Sequence, residues 1–328
     1  MPQPRVAFLG TPVTALPPLK ALAELCGVQA VFCKPDRPQG RGRVIEPPPV
    51  KLAAQELGLE VHQPEKWNCE ATRSLWDSLK IDMALVVAYG HILPSWMIDS
   101  CELGVWNLHF SLLPRWRGAA PANYAILAGD DETGVSLMKI TPGLDAGPVL
   151  AQCRRAITME SVADGLLAEL AEDAADLLRA NLAAMLNGKT EVMPQDENLV
   201  TLAPKLKKEM ARLDLTKGAV ELHRQIRALQ PWPGAELQLG DTTIKIIGIG
   251  SISPSDAAPG TLHWDKSGVR LSVGDNRAIE LIALQRPGKP VQPACQAMQF
   301  WGAKGSTALG ASLKAMEGLR VSNSVAGA

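Results

Sequence analysis

The segment 105–148 holds the residue types that could do chemistry together. A short apolar run, 104–109, ends by placing Asn107 and His109 two positions apart, and Asp145 follows inside Gly143-Leu144-Asp145-Ala146-Gly147. In a strand, residues i and i+2 project to the same side, so an amide and an imidazole would face one pocket. Asn107 can donate to a developing oxyanion, a contribution on the order of 3 kcal/mol. His109 can polarise a carbonyl or relay a proton. Asp145 can orient the imidazole and help a proton leave an amine, which is triad logic without the nucleophile. No Ser or Cys with a nucleophile signature stands beside His109, and no metal-ligand spacing occurs. The trio therefore suits transfer between two bound substrates without a covalent enzyme intermediate. From the residues alone this reading stops at acyl or one-carbon transfer to a nucleophile. His91 is a rival histidine; His109 is preferred because Asn107 comes in register with it.

The flanking chain must build a strand end at that position. Apolar runs at 5–10, 27–33, 59–62, 82–88 and 104–109 alternate with helical patterns at 13–26, 51–57 and 68–79, the last with Asn68 as its cap. Such alternation implies an α/β domain with a parallel sheet covered on both faces, and ligands beyond the carboxyl ends of its strands. Gly10-Thr11-Pro12 lacks the GxGxxG spacing of a dinucleotide site. Tyr89-Gly90-His91-Ile92-Leu93-Pro94 follows the apolar run 82–88, and Ile92, Leu93 and Pro94 could wall a flat apolar ligand. A β pair at 133–140 and 149–157 flanks the Asp145 turn, and a long helix spans 161–186.

Residues 34–49, KPDRPQGRGRVIEPPP, contain five prolines, two glycines and the arginines Arg37, Arg41 and Arg43. Proline and glycine exclude a helix or a central strand, so an exposed, semi-ordered loop is expected. It reads either as solvated chain or as a phosphate-contacting finger, since arginine forks match phosphate geometry. Residues 190–208 are polar and form the best linker, with Lys205, Lys207 and Lys208 clustered at its end. Beyond 211 the texture changes to a helix at 220–229, a rigid PWPGA corner at 231–235, and short β runs at 235–239, 243–249, 260–264, 268–273 and 277–284. Short strands separated by turn residues suggest a small OB-like β-barrel. A closing helix is expected at 295–309.

The 328 residues leave room for about two domains. Net charge is −1, divided as 19 basic against 24 acidic residues over 1–207 and 14 against 10 over 208–328. A mildly basic second half is only weak support for a polyanionic partner. Six scattered cysteines form no CxxC pair and read as reduced thiols of a cytoplasmic protein. No signal segment and no apolar run long enough to span a bilayer is present, and no membrane association is expected.

NLHFSLLPRWRGAAP, GLDAGP, AYGHILP, PDRPQGRGR, KLKKEMARLD and PWPGA together resemble the methionyl-tRNA formyltransferases, over nearly the whole chain. The first two motifs belong to the wider 10-formyltetrahydrofolate-using family; the arginine loop, the linker and the PWPGA corner are more particular to the tRNA enzymes. The resemblance implies a Rossmann-like catalytic domain over 1–189 and an OB-like tRNA-binding domain over 209–318, on either side of the polar 190–208 linker; the small and polar tail at 319–328 is expected to be disordered. It implies formyl transfer from 10-formyltetrahydrofolate, without a metal, to the amino group of methionyl initiator tRNA. Asn107, His109 and Asp145 match the family's catalytic trio. Ser111, Leu112, Leu113 and Pro114 match its tetrahydrofolate segment, with Tyr89, Gly90, Ile92, Leu93 and Pro94 bordering the pterin. Arg37, Arg41 and Arg43 match the loop that enters the acceptor stem, and Lys205, Lys207 and Lys208 face the tRNA. A monomer is the simplest expectation.

Phe110 departs from the pattern, standing beside the histidine where a small residue is usual. It would either narrow the pocket or face the core. The alternatives are a formyltransferase with another amine acceptor, such as a nucleotide amino-sugar or a purine-pathway intermediate, and a non-catalytic tRNA-binding protein.

Overall fold

A computed structural model of the chain describes residues 3–39, 44–302 and 304–309. Arg41 and Arg43 lie outside the described residues, as do the 319–328 tail and the last residues of the expected second domain. The chain divides into two compact units. The first comprises Met1–Ala125, Asp130–Met159 and Gly165–Lys205; the second comprises Ile126–Gly129, Glu160–Asp164 and the chain from Leu206 onward.

The first unit is built on a seven-stranded sheet. Its spatial order is Val149–Ala156, Glu132–Lys139, Val105–His109, Met83–Val87, Val6–Gly10, Val28–Phe32, Val61–His62. The last five are parallel to one another; Glu132–Lys139 pairs antiparallel with Val105–His109, and Val149–Ala156 pairs antiparallel with Glu132–Lys139. Val6–Gly10 and Met83–Val87 are buried at every position. Their all-apolar composition is what a strand covered on both faces requires. From Val6–Gly10 the chain moves outward to Val28–Phe32 and Val61–His62, then crosses to the other side of its first strand at Met83–Val87. That reversal opens the crevice at the carboxyl ends of the central strands, and Tyr89–Pro94 and His109 follow at those ends.

The helical segments form where the apolar periodicity places them, as Leu16–Leu25, Pro49–Glu56 and Glu70–Leu79. The cap of the third is Cys69 rather than Asn68, with no side-chain capping bond. Trp76 of this helix is buried against Phe32 and Trp67, with ring centroids 5.4 and 5.7 Å away. Phe110, just beyond the end of Val105–His109, is buried.

The described residues of the proline-rich stretch are more regular than expected. Arg37–Gln39 pairs antiparallel with Val44–Glu46 as a two-stranded ribbon separate from the main sheet. Its base is anchored by Asp36, which accepts from Lys51 Nζ at 2.7 Å and from Gln63 Nε2 at 2.7 Å. Prolines are tolerated because the ribbon has only edges.

Residues 190–205, expected as part of a linker, are an integral strap of the first unit. Met193 bridges Val149, Glu197–Leu199 forms a 3-10 turn capped by Asp196, and Leu202–Ala203 pairs in parallel with Arg117–Gly118. Side-chain hydrogen bonds to residues 48 to 85 positions away hold the strap, so nothing in its local pattern marked it.

The second unit is an antiparallel sheet in the order Ala235–Leu239, Thr242–Pro254, Arg277–Gln285, Gly268–Val273, Thr261–Asp265, Gly305–Ala308, with Gln292–Pro293 beside Arg277–Gln285. Thr242–Pro254 breaks register three times against Arg277–Gln285, and such irregularities bend a strand. Ala219–Ala228 covers the sheet and buries Leu222 and Ile226 in a core with Ile244, Ile246, Leu271 and Leu281. The expected closing helix is shorter than its pattern. Helix Ala294–Met298 and a 3-10 turn Gln299–Trp301 end it, and Gly305–Ala308 is captured as an edge strand by Thr261–Asp265. Edge pairing outweighs local propensity there. Among the described residues no helix is long and apolar enough to cross a membrane.

Candidate active site

Val105–His109 positions two of the three candidate groups. Pairing with Met83–Val87 on one side and Glu132–Lys139 on the other sets its register, with Asn107 opposite Val86 and Met138, and His109 opposite Ser136. The Asn107 side-chain amide has no hydrogen-bond partner among the described residues, so its donors are unspent. His109 is 6% exposed.

Asp145 reaches the histidine from a turn 36 positions later. Its Oδ2 lies 3.7 Å from His109 Nδ1 and accepts from the Gly118 N–H at 2.8 Å. His109 Nε2 lies 2.9 Å from the Trp116 carbonyl oxygen. A carbonyl only accepts, so Nε2 carries a proton and Nδ1 is the nitrogen turned to Asp145. A gap of 3.7 Å exceeds direct hydrogen-bond range. Asp145 sits at φ +45° and Trp116 at φ +64°. Non-glycine residues in that region concentrate at functional sites.

Glycine is required at two points of this frame. A Cβ on Gly118 would stand 2.5 Å from the Ala203 carbonyl oxygen, and one on Gly147 would stand 1.8 Å from that of Lys139. The close approaches bring Arg117–Gly118 against the strap and the Asp145 turn against Glu132–Lys139.

The segment Ser111–Pro114 is fixed by buried hydrogen bonds. Ser136 Oγ donates to the Ser111 carbonyl at 2.6 Å and accepts from the Leu113 N–H at 3.0 Å, while Gln152 Nε2 donates to the Leu113 carbonyl at 3.0 Å. Ser111 Oγ donates to the Arg115 carbonyl at 2.6 Å. Leu113 and Pro114 line a cavity of about 180 Å³ with Gln152, Met193 and Gln195, which no member of the trio borders. Leu112 is half-buried.

Tyr89–Pro94 is divided in its roles. Tyr89 is a core residue whose hydroxyl accepts from Trp67 Nε1 at 3.2 Å, and burial pushes its phenol pKa up. Leu93 is buried, Pro94 is half-buried and Ile92 is 94% exposed. Ile92 is therefore the residue of this stretch that presents a free apolar wall. His91 has a buried Nε2 without a hydrogen-bond partner among the described residues. Its pKa is lowered by burial first, then by Lys34 and Arg37.

Arg37, Lys205, Lys207 and Lys208 are exposed. Lys34 joins the cations of the first unit, and the sequence reading missed it. Burial first, then the charges of Arg37 and Lys205, lower its pKa. Its only signal was its place at the start of the proline-rich stretch. The arginines of Arg115-Trp116-Arg117 are structural. Arg115 forks onto Asp130, at 2.6 and 2.7 Å, and lies over the Trp116 ring. Arg117 is buried and forks onto Glu197, holding that carboxyl below its ordinary pKa.

Residues 5–182 match the formyl transferase family model, and residues 205–301 match the model of the formyl transferase C-terminal domain. The methionyl-tRNA formyltransferase of Halorhodospira halophila is 44% identical over 88% of this chain and 94% of its own length. The chain belongs to the methionyl-tRNA formyltransferase family. The Myxococcus xanthus member is 42% identical, over 91% of this chain and 96% of its own. Among solved structures, the N-formyltransferase of Helicobacter canadensis in complex with folinic acid and dTDP-3-aminofucose superposes with a TM-score of 0.64 at 18% identity. That match covers 86% of this chain and 99% of the other. HypX from Aquifex aeolicus in complex with tetrahydrofolic acid gives 0.61 at 17% identity, over 90% of this chain and 47% of its own. At such identities these two likenesses concern the fold.

Proposed function

We propose that this chain transfers a formyl group from 10-formyltetrahydrofolate to the α-amino group of methionine esterified to initiator tRNA, with Asn107, His109 and Asp145 at the reacting centre. The acceptor follows from the relatives: methionyl-tRNA formyltransferases at 40–44% identity align along about nine-tenths of the chain. The amino-sugar alternative rests on likenesses in fold alone.

The observation that carries the catalytic reading is one side chain with unspent donors beside a histidine–carboxylate pair. The amine nitrogen attacks the formyl carbon, forming a C–N bond and placing negative charge on the formyl oxygen. Asn107 donates to that oxygen; removing such a donor typically costs a factor of ~10² to 10³. His109 Nδ1, backed by Asp145, takes the proton released by the amine. The bond from the formyl carbon to the donor nitrogen then breaks, and that nitrogen receives a proton from the same pair. The protons lost and gained balance, and no nucleophile of the chain is consumed.

The residues present fit a folate-derived donor. Ile92 offers an exposed apolar wall, Ser111–Pro114 is held rigid, and Asn107 has a free amide. Ser111, Leu112, Leu113, Pro114, Tyr89, Gly90, Ile92, Leu93 and Pro94 are proposed to frame that donor. Tyr89 does so from the core by setting the loop's path. Arg37, Arg41 and Arg43, with Lys205, Lys207 and Lys208, are proposed to take tRNA phosphates. The first unit is proposed as the Rossmann-like catalytic domain. The second is proposed as an OB-like domain that binds tRNA, in a cytoplasmic monomer.

The test is transfer of a labelled formyl group by the purified chain. Charged initiator tRNA should be formylated and a UDP-amino-sugar should not. Transfer to the sugar alone would overturn the acceptor.

A further inference from the structure

We infer that Gln195 is the positioning residue of Asp145, reaching it from the strap that the sequence presents as a linker. This rests on the catalytic reading of Asp145 above.

Asp145 is held at φ +45°. A non-glycine residue persists there only when its surroundings over-determine it. Its side chain is fixed by the Gly118 N–H at 2.8 Å. Its main chain is fixed by Gln195, whose Nε2 donates to the Asp145 carbonyl and to the Gly147 carbonyl, each at 2.7 Å. One amide nitrogen has two hydrogens, so both donors are spent on the turn. Gln195 Oε1 accepts from Arg117 Nε at 3.0 Å. The rest of the Arg117 guanidinium forks onto Glu197 of the same strap.

Both anchors of Asp145 therefore lead to adjacent residues. Its carboxylate is tied to Gly118, and its backbone is tied through Gln195 to Arg117. Pairing of Leu202–Ala203 with Arg117–Gly118, and of Met193 with Val149, locks the strap on either side of Gln195. The Trp116 N–H donates to Thr201 Oγ1 at 2.9 Å, so the strap also holds the residue whose carbonyl meets His109 Nε2. Strap and reacting centre thus form one hydrogen-bonded frame, in which Gln195 is the joint to Asp145.

The decisive variant is Gln195→Glu, which keeps the side chain's size and an acceptor for Arg117 while losing both donated bonds. A misplacement of about 1 Å at a reacting group costs on the order of 10²-fold in rate. We expect kcat for formyl transfer to fall by roughly 10- to 100-fold, KM for both substrates to stay within about threefold, and the pH profile of kcat to shift. A folded Gln195→Glu enzyme with wild-type kcat and pH profile overturns the inference. Should that variant fail to fold, Gln195→Met decides by the same two readouts: a lower kcat with a shifted profile supports the inference, and wild-type values for both overturn it. Asp145→Asn separates the two levels. Wild-type turnover by Asp145→Asn would overturn the catalytic reading itself. Collapse of Asp145→Asn beside an unaffected Gln195→Glu would overturn only the role of Gln195.

Discussion

His109 Nε2 lies 2.9 Å from the carbonyl oxygen of Trp116, and this contact selects which side of the imidazole does the chemistry. With Nε2 committed as a donor, Nδ1 faces Asp145. The carbonyl can make this contact because Trp116 adopts φ +64° and its N–H is bound by Thr201.

Replacing His109 by Ala should lower single-turnover formyl transfer by ~10² to 10⁴ while leaving tRNA affinity unchanged, the range for losing a general acid–base group. Asn107→Ala should lower it by ~10² to 10³ through loss of oxyanion stabilisation. Rapid-quench measurement with labelled formyl donor checks both. Near-normal rates for His109→Ala would remove it from the mechanism.

Gly118→Ala should damage stability and rate together. Its Cβ would sit 2.5 Å from the Ala203 carbonyl oxygen at a φ of +130°. Relief requires the Leu202–Ala203 pairing to shift, at a cost of about 1–3 kcal/mol. Chemical denaturation measures the loss. A variant as stable as the parent would show that the strap yields freely.

Stability of the second unit should fall in acid through His223. This residue is 4% exposed, its Nδ1 accepts from Arg227 Nε at 3.0 Å, and its Nε2 donates to the Gly250 carbonyl at 3.2 Å. Burial, and then the Arg227 charge, lower its pKa from 6.5, opposed by the Gly250 contact and Glu160. The unfolded chain therefore binds the proton more readily. Stability is full above 6.5 and declines as pH drops from there toward the lowered folded value. His223→Gln can still accept and donate at the same places, so it should flatten this decline in a series of urea titrations between pH 8 and 5. An unchanged decline in the variant would assign the acid sensitivity to other groups.

Salt dependence tests the basic residues. Every tRNA phosphate that a substitution leaves unneutralised should reduce the slope of log affinity against log salt by roughly 0.7 to 0.9. Arg37→Ala and Lys205→Ala, alone and with Arg41 and Arg43 neutralised, should lower the slope stepwise and leave kcat at saturating tRNA intact. Slopes equal to the parent's would make these side chains ordinary solvated charges.

The sheet was legible because its signals are local. The run Met83–Val87 is apolar on both faces, and Asn107 and His109 share a side through a two-residue period that any strand must obey. The glycine-bracketed Asp145 was visible as a turn, and the short strands of the second unit were marked by their turn residues. These features follow from the chain's own stereochemistry, so the amino-acid sequence alone determined them. Tertiary structure decided the rest. The polar strap around Gln195 has no periodicity of its own, and it is ordered by hydrogen bonds to Asp145, Gly147 and Arg117. Arg117 is buried against Glu197, a partner 80 positions away, and the closing segment became strand Gly305–Ala308 because Thr261–Asp265 offered an edge. Even the meeting of His109 with Asp145 depends on two glycines that let separate backbones approach. Interactions between residues distant in the chain gain their free energy only once the fold has brought them together, so no local pattern can announce them.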